Sequence, residues 1–249
     1  MLARALLIAL LGAVAAGPAA AARTLDLGDS VQGREIVAVE VAGAAPRTAV
    51  LVVGCIHGNE PAGIAIARAL TRVRPPSGVA LWILSDLNPD GVAAGTRQNA
   101  HGVDLNRNFP TRWQPQSGTF ASGPNPLSEP ESRLAYRLIL RVRPAVSIWF
   151  HQHANLVDDS SGNRALERRF GAIAGLPLRP LARFGGSAVT WESARFAGTS
   201  PFVVELPAGS LSPAAVQRFV RAVLAVEASS RPCLRSCRSD PEHAGTRPG

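Results

Sequence analysis

The stretch Thr48-Ala49-Val50-Leu51-Val52-Val53-Gly54-Cys55-Ile56-His57-Gly58-Asn59-Glu60 starts as an apolar, β-rich run and ends directly on an imidazole and a carboxylate. The pattern recurs: Ala145 to Phe150 runs into His151, Pro201 to Val204 runs into Glu205, and Val79 to Leu84 is a further run of the same kind. Short apolar runs of this composition read as strands. Between them lie segments with apolar residues at helical spacing. Glu60 to Val73 carries Pro61 in its first turn, and Ser128 with Glu131 reads as a capping box for the next helix. Residues 163–174 and 212–228 are two more expected helices, and Gln114 to Pro126 reads as an irregular loop. Strands alternating with helices imply an α/β fold, a sheet flanked by helices in a single domain. Ligands of an open α/β sheet bind at the carboxyl ends of its strands, so His57, Glu60, His151 and Glu205 are expected at one edge.

Those residue types suit one chemistry. His57 and Glu60 are three apart with a Gly between them, which lets an imidazole and a carboxylate converge from a tight turn on one cation, and His151 supplies a second imidazole. Two His and one Glu with an open fourth position is the composition of a catalytic zinc site, not of a closed structural one. Such a site suits amide hydrolysis, with Glu205 as general base. A His-x-x-Glu or a lone His after a strand carries little weight by itself. A carboxylate flanked by Val203, Val204 and Leu206 is costly to bury without a partner, and the combination carries the reading.

Two further segments make it specific: Asn88-Pro89-Asp90-Gly91, and Thr96-Arg97-Gln98-Asn99-Ala100-His101-Gly102-Val103-Asp104-Leu105-Asn106-Arg107-Asn108-Phe109-Pro110. With His57 to Glu60 they resemble the carboxypeptidase A-type zinc metallopeptidases, in order from about Leu51 to Pro207. Within that family, the stretch Gly102 to Pro110, the run Leu127 to Glu131 and the spacing Gly186, Ser187, Trp191 look most like bacterial murein peptide amidases, which cleave the γ-D-glutamyl-diaminopimelate bond of cell-wall peptides. The resemblance implies a mixed, twisted sheet and one zinc ion held by His57, Glu60 and His151. It also implies Glu205 as catalytic base, Arg97 as the group that polarises the scissile carbonyl, and Asn106 and Arg107 as the pair that holds a substrate carboxylate. Asp90 is expected to bond its own turn backbone and Asp104 to orient the Asn106-Arg107 loop. His101 and His153 are left out of the ligand set, and Cys55 is read as a small buried residue.

The chain departs from the family in two places. Digestive-type carboxypeptidases cover the substrate with a Tyr before the catalytic Glu, whereas the single Tyr here, Tyr136, falls in an expected helix far upstream. Murein amidases carry an aromatic residue after Gly-Ser where this chain has Ala188. Three alternatives use related features: a general carboxypeptidase removing C-terminal residues, an N-acyl amino acid hydrolase of the aspartoacylase or succinylglutamate desuccinylase type, and a non-catalytic binding module for cell-wall peptide. The last is disfavoured because neither a ligand nor the base is missing.

The ends and the charge complete the picture. Residues 1–22, with Arg4, an apolar run from Ala5 to Ala16 and small residues around Ala20 and Ala22, read as a secretory signal, too short in its apolar part to span a bilayer. The expected order is signal, catalytic domain over 23–228, and a polar tail over 229–249 in which Cys233 and Cys237 could pair. Export would place the domain in the periplasmic or cell-wall space, acting on peptide. The 249 residues carry 26 basic against 18 acidic side chains, every basic one Arg, for a net +8. That charge is scattered and lacks interleaved aromatics, which argues against nucleic acid. Apolar content of 46% excludes a disordered chain.

Overall fold

The computed structural model describes residues 22–160 and 163–227, so the signal segment up to residue 21 and the tail with Cys233 and Cys237 lie outside the described residues. Eight strands form one mixed sheet: β1 (Ala22–Asp29), β2 (Glu35–Ala42), β3 (Thr48–Val53), β4 (Val79–Leu84), β5 (Val146–Gln152), β6 (Leu156–Asp158), β7 (Leu178–Arg179) and β8 (Ser200–Leu206). Their spatial order is β1-β2-β4-β3-β5-β8-β6-β7. β4, β3, β5 and β8 are parallel neighbours, while β2 joins β4 and β6 joins β8 antiparallel. The strand runs read from the sequence are this central parallel set. The two edges, β1–β2 and β6–β7, add to it.

Parallel strands covered on both faces carry apolar residues on both, and β3 shows how they divide. Val50 and Val52 face α1 (Ala62–Leu70), α4 (Arg164–Ala174) and α6 (Pro213–Glu227), in a core with Ile66, Phe170 and Phe219. Leu51 and Val53 face α3 (Pro130–Val142) and α5 (Ala188–Arg195), in a core with Leu138, Trp149 and Trp191. Truncating a fully buried aromatic such as Phe170 or Phe219 would cost about 3–5 kcal/mol.

Two local expectations are corrected. Helix α3 has no capping box: its N-cap is Glu129, with no side-chain cap bond, and Ser128 Oγ instead donates to Glu129 Oε1 at 2.7 Å. The Asn-Pro-Asp-Gly turn opens a short helix, α2 (Pro89–Ala94), capped not by Asp90 but by Asn88, whose side chain accepts from the Gly91 N–H at 3.0 Å. Asp90 reaches across to the β1–β2 turn, accepting from Ser30 Oγ and the Gln32 N–H, both at 2.9 Å, and from Arg34. Burial alone would raise its pKa, and these three donors hold it below the usual carboxylate range.

Candidate active site

The site forms where β3, β5 and β8 end. β3 leads into the turn that carries His57 and Glu60, His151 lies near the end of β5, and Glu205 is its register partner on β8. The turn has to approach another loop closely. A Cβ on Gly58 would lie 1.9 Å from the backbone carbon of Gly91, so the absence of a side chain at Gly58 lets the two loops touch. Asn88 joins them with its amide, donating to the carbonyls of Ile56 at 3.2 Å and Arg97 at 3.3 Å.

His57 Nδ1, His151 Nδ1 and Glu60 Oε2 converge. Each nitrogen is 3.0 Å from the carboxylate oxygen, the two nitrogens are 3.1 Å apart, and both imidazoles are buried. Ligand atoms about 2.0–2.2 Å from a tetrahedral ion sit roughly 3.3–3.5 Å from one another, so the group needs only a few tenths of an ångström of widening to hold zinc. The donor set fits as well. Burying two imidazoles and a carboxylate face to face is costly unless a cation joins them. Among the described residues, these three form the group of His, Cys, Asp and Glu side chains able to hold a metal ion. His101 is tied instead to Glu129, 2.7 Å away, and His153 is exposed.

Asp104 does more than the loop-orienting role expected of it. Its Oδ1 lies 3.0 Å from His57 Nε2 and accepts from the Asn106 N–H at 2.9 Å, while its Oδ2 accepts from Arg97 Nε at 2.9 Å. A carboxylate on the far nitrogen of a ligating imidazole fixes its tautomer and ring orientation. The sequence signal for it is thin: Asp104 lies two residues before Asn106 but 47 from His57. Arg97 Nη1 also donates to Glu60 Oε1 at 3.1 Å, so one guanidinium braces both acids. Burial works to raise the pKa of Glu60, and its contacts with His151 and His57 bring it far below the ordinary value, keeping the ligand ionised.

The cleft as a whole is about 340 Å³ and is also lined by Glu205, Asn106, Arg107, Asp158, Arg183 and Phe184 among others. Asn106 accepts from the Ala188 N–H through Oδ1 at 3.0 Å, which leaves its amide N–H groups to face outward. Arg107 is 5% exposed, donates through Nη1 to the Asn106 carbonyl at 2.8 Å, and lies between two rings, its Cζ 5.3 Å from the Phe120 centroid and 4.4 Å from that of Phe184. Both aromatics are about half exposed, and the sequence reading singled out neither, since a Phe in a loop carries no periodic signal. Gly186 secures this side: its φ is +73°, and a Cβ there would lie 2.2 Å from the Arg107 carbonyl oxygen. Glu205 is partly buried and accepts from the Ala154 N–H at 3.3 Å. All seven residues named from the sequence line this one cleft.

Comparison with known proteins points the same way. The model of the zinc carboxypeptidase family matches residues 7–74 and 76–162. Murein peptide amidase A of Escherichia coli K12 is 33% identical over 130 residues, which cover 47% of this chain and 54% of that protein. The chain thus spans about half the length of the curated relatives it matches. Among solved structures, murein-tripeptide amidase MpaA from Escherichia coli O157 has a TM-score of 0.65 at 24% identity, over 84% of this chain and 91% of that one. Carboxypeptidase A from Helicoverpa armigera has 0.68 at 20%, over 84% and 68%. At these identities the structures speak for the fold alone.

Proposed function

The chain belongs to the zinc carboxypeptidase family, and we propose on that premise that it is an exported zinc hydrolase that cuts an amide next to a carboxylate-bearing residue, with the γ-D-glutamyl-diaminopimelate bond of cell-wall peptide as substrate. The observation that carries this reading is the convergence of His57, Glu60 and His151 within 4.8 Å of one another, on a cleft also lined by Glu205 and Arg107. When bound by these three side chains, zinc supplies Lewis acidity toward a carbonyl and a lowered pKa for water.

Each of the other roles belongs to a residue of the chain. Arg107 and Asn106 grip the substrate carboxylate, the guanidinium through its fork and the amide through its N–H groups. That contact fixes where the scissile bond lies and makes the attack effectively intramolecular. Arg97, held by Asp104 and Glu60, faces the carbonyl oxygen as a fixed cation and stabilises the charge that develops there. Glu205 takes the proton of the attacking water on a carboxylate oxygen and delivers it to the leaving amine. Asp104 keeps His57 and Arg97 in place.

Residues 1–22 act in this reading as the export signal and 23–228 as the catalytic domain. No helix among the described residues is long and apolar enough to cross a membrane. The murein relatives favour the cell-wall substrate over removal of C-terminal residues from proteins. The test is to offer the purified zinc-loaded chain L-Ala-γ-D-Glu-diaminopimelate beside a panel of C-terminal dipeptides. Cleavage of the first, lost on chelation and restored by zinc, is expected. Cleavage only of the dipeptides would make it a general carboxypeptidase, and cleavage of neither would leave a binding module.

A further inference from the structure

Arginines that are scattered along the sequence are gathered by the topology. β4, β3, β5 and β8 are parallel neighbours, so all four start at one edge of the sheet, opposite the cleft. The segments that enter them, residues 71–78, 43–47, 141–145 and 195–199, carry Arg72 and Arg74, Arg47, Arg141 and Arg143, and Arg195, with no Asp or Glu. All six side chains are exposed, and none is joined to a carboxylate among the described residues. Glu40, the acid of β2 nearest this edge, stands opposite Arg23 in the β1–β2 register. Acids of the strand connections lie at the other end: Glu60 follows β3, Asp86 and Asp90 follow β4, and Glu205 is near the end of β8.

The four segments are also held level. Gly78 N–H donates to the Ala44 carbonyl and Arg47 N–H to that of Gly78, both at 2.8 Å, while Ala145 N–H donates to the Ala49 carbonyl and Ser200 N–H to that of Ala145, both at 2.9 Å. Pro46, Pro75, Pro76 and Pro144 stiffen them further. At about 4.8 Å between neighbouring strands, the starts form a row roughly 15 Å long. A helix C-terminus attracts cations, which accounts for Arg141 and Arg195 in the last turns of α3 and α5. It does not account for Arg47 or Arg74, which lie outside any helix. Six like charges on adjoining rigid segments repel one another unless an anionic partner offsets them.

We propose that this edge docks on an anionic phospholipid surface and turns the cleft away from it. A level row of cations matches an extended plane of headgroups. The large exposed apolar side chains among the described residues are Phe120 and Phe184, both beside Arg107 at the cleft. The edge therefore offers no ring on which bases could stack and no wedge to enter the acyl chains. Contact is Coulombic and at headgroup level, with each arginine contributing about fivefold to partitioning, and it weakens as salt is added. This surface lies outside the catalytic machinery, so the inference holds whether or not the hydrolase reading does.

Co-sedimentation of the full chain with vesicles tests it, using phosphatidylcholine alone and phosphatidylcholine with roughly one third phosphatidylglycerol. Two triple variants carry the same net charge. Arg47→Gln with Arg74→Gln and Arg143→Gln strips the edge, whereas Arg137→Gln with Arg168→Gln and Arg221→Gln strips exposed arginines from the flanks of α3, α4 and α6. The unaltered chain should prefer the anionic vesicles, the edge triple should lose about a hundredfold of that binding, and the flank triple less than about tenfold. Any contribution from residues 1–22 or 229–249 is common to all three chains and cancels. Unchanged thermal melts show that the variants are folded. Should the edge triple not fold, Arg47→Gln and Arg74→Gln singly decide instead, each with an expected loss of about fivefold. No preference for anionic vesicles, or equal losses in the two triples, overturns the proposal. So does edge-dependent binding of a soluble polyanion such as heparin by a chain that leaves the vesicles alone.

Discussion

At the ligand end of the cleft the side chains direct their hydrogen-bonding capacity at one another, whereas around Arg107 and Arg183 part of it stays open. Both oxygens of Glu60 are engaged, His57 is held on both nitrogens, and Arg97 bridges two acids. Asn106 keeps its amide donors and Arg183 one nitrogen. An internally braced group holds its shape before anything binds, which suits ligands that must meet an ion at fixed distances. A group with open capacity is costly until a solute completes it, and that cost favours a solute of matching charge. The contrast separates what positions the chemistry from what chooses the substrate.

The largest effect should come from Glu205→Gln, which removes the base and leaves the braced ligands alone. Turnover should fall by at least about 10²–10⁴-fold with zinc content unchanged, by activity assay beside metal analysis. Substantial retained activity would sink the assignment. Arg97→Gln and Arg107→Gln then test whether the two ends are separable. The first should cost about 10²–10³-fold in kcat, whereas the second should act mainly through KM. Equal effects of both on kcat alone would dissolve the distinction. Asp104→Asn should weaken zinc binding by about 10–100-fold in a competition titration, with a smaller effect on the KM of the metal-saturated chain.

The smallest effect concerns a buried acid outside both ends. Glu192 on α5 is wholly buried and bonded to Ser147 Oγ, with its second oxygen unpartnered. Burial pushes its pKa up to about 7 from 4.5, against the pull of the Ser147 hydroxyl. The native state therefore favours the neutral acid. That stability is fully present below about pH 4.5 and is lost as pH rises through 7. Denaturant titrations should show this contribution shrinking by up to roughly 3 kcal/mol between pH 4.5 and 8, and Glu192→Gln should lack that part of the slope. An unchanged pH dependence in the variant would mean that the carboxyl is already ionised in the fold.

How much of this could be read from the sequence follows the same division. His57, His151 and Glu205 stand out because each ends an apolar strand, and position along a strand is a local property. The edge strands escape for the opposite reason. β1 is mostly exposed and polar, and β7 has two residues, so neither has an apolar run to betray it. Asp90 and Asp104 are misjudged or underrated because their partners lie 58–60 and 47 residues away. An Asp in a turn looks self-sufficient until the fold brings it a distant donor. The capping box at Ser128 fails similarly: Asn108 Nδ2 donates to its hydroxyl at 2.9 Å, and that hydroxyl donates in turn to Glu129.

The strand order has a kinetic corollary. β5 lies between β3 and β8, so His151 meets the turn carrying His57 and Glu60 only once the central strand has docked beside β3. Pairings between strands nearly a hundred residues apart form late, because the long intervening loops must close first. Zinc added during refolding should therefore be captured in step with insertion of that strand. A stopped-flow signal from the metal would time the completion of the sheet.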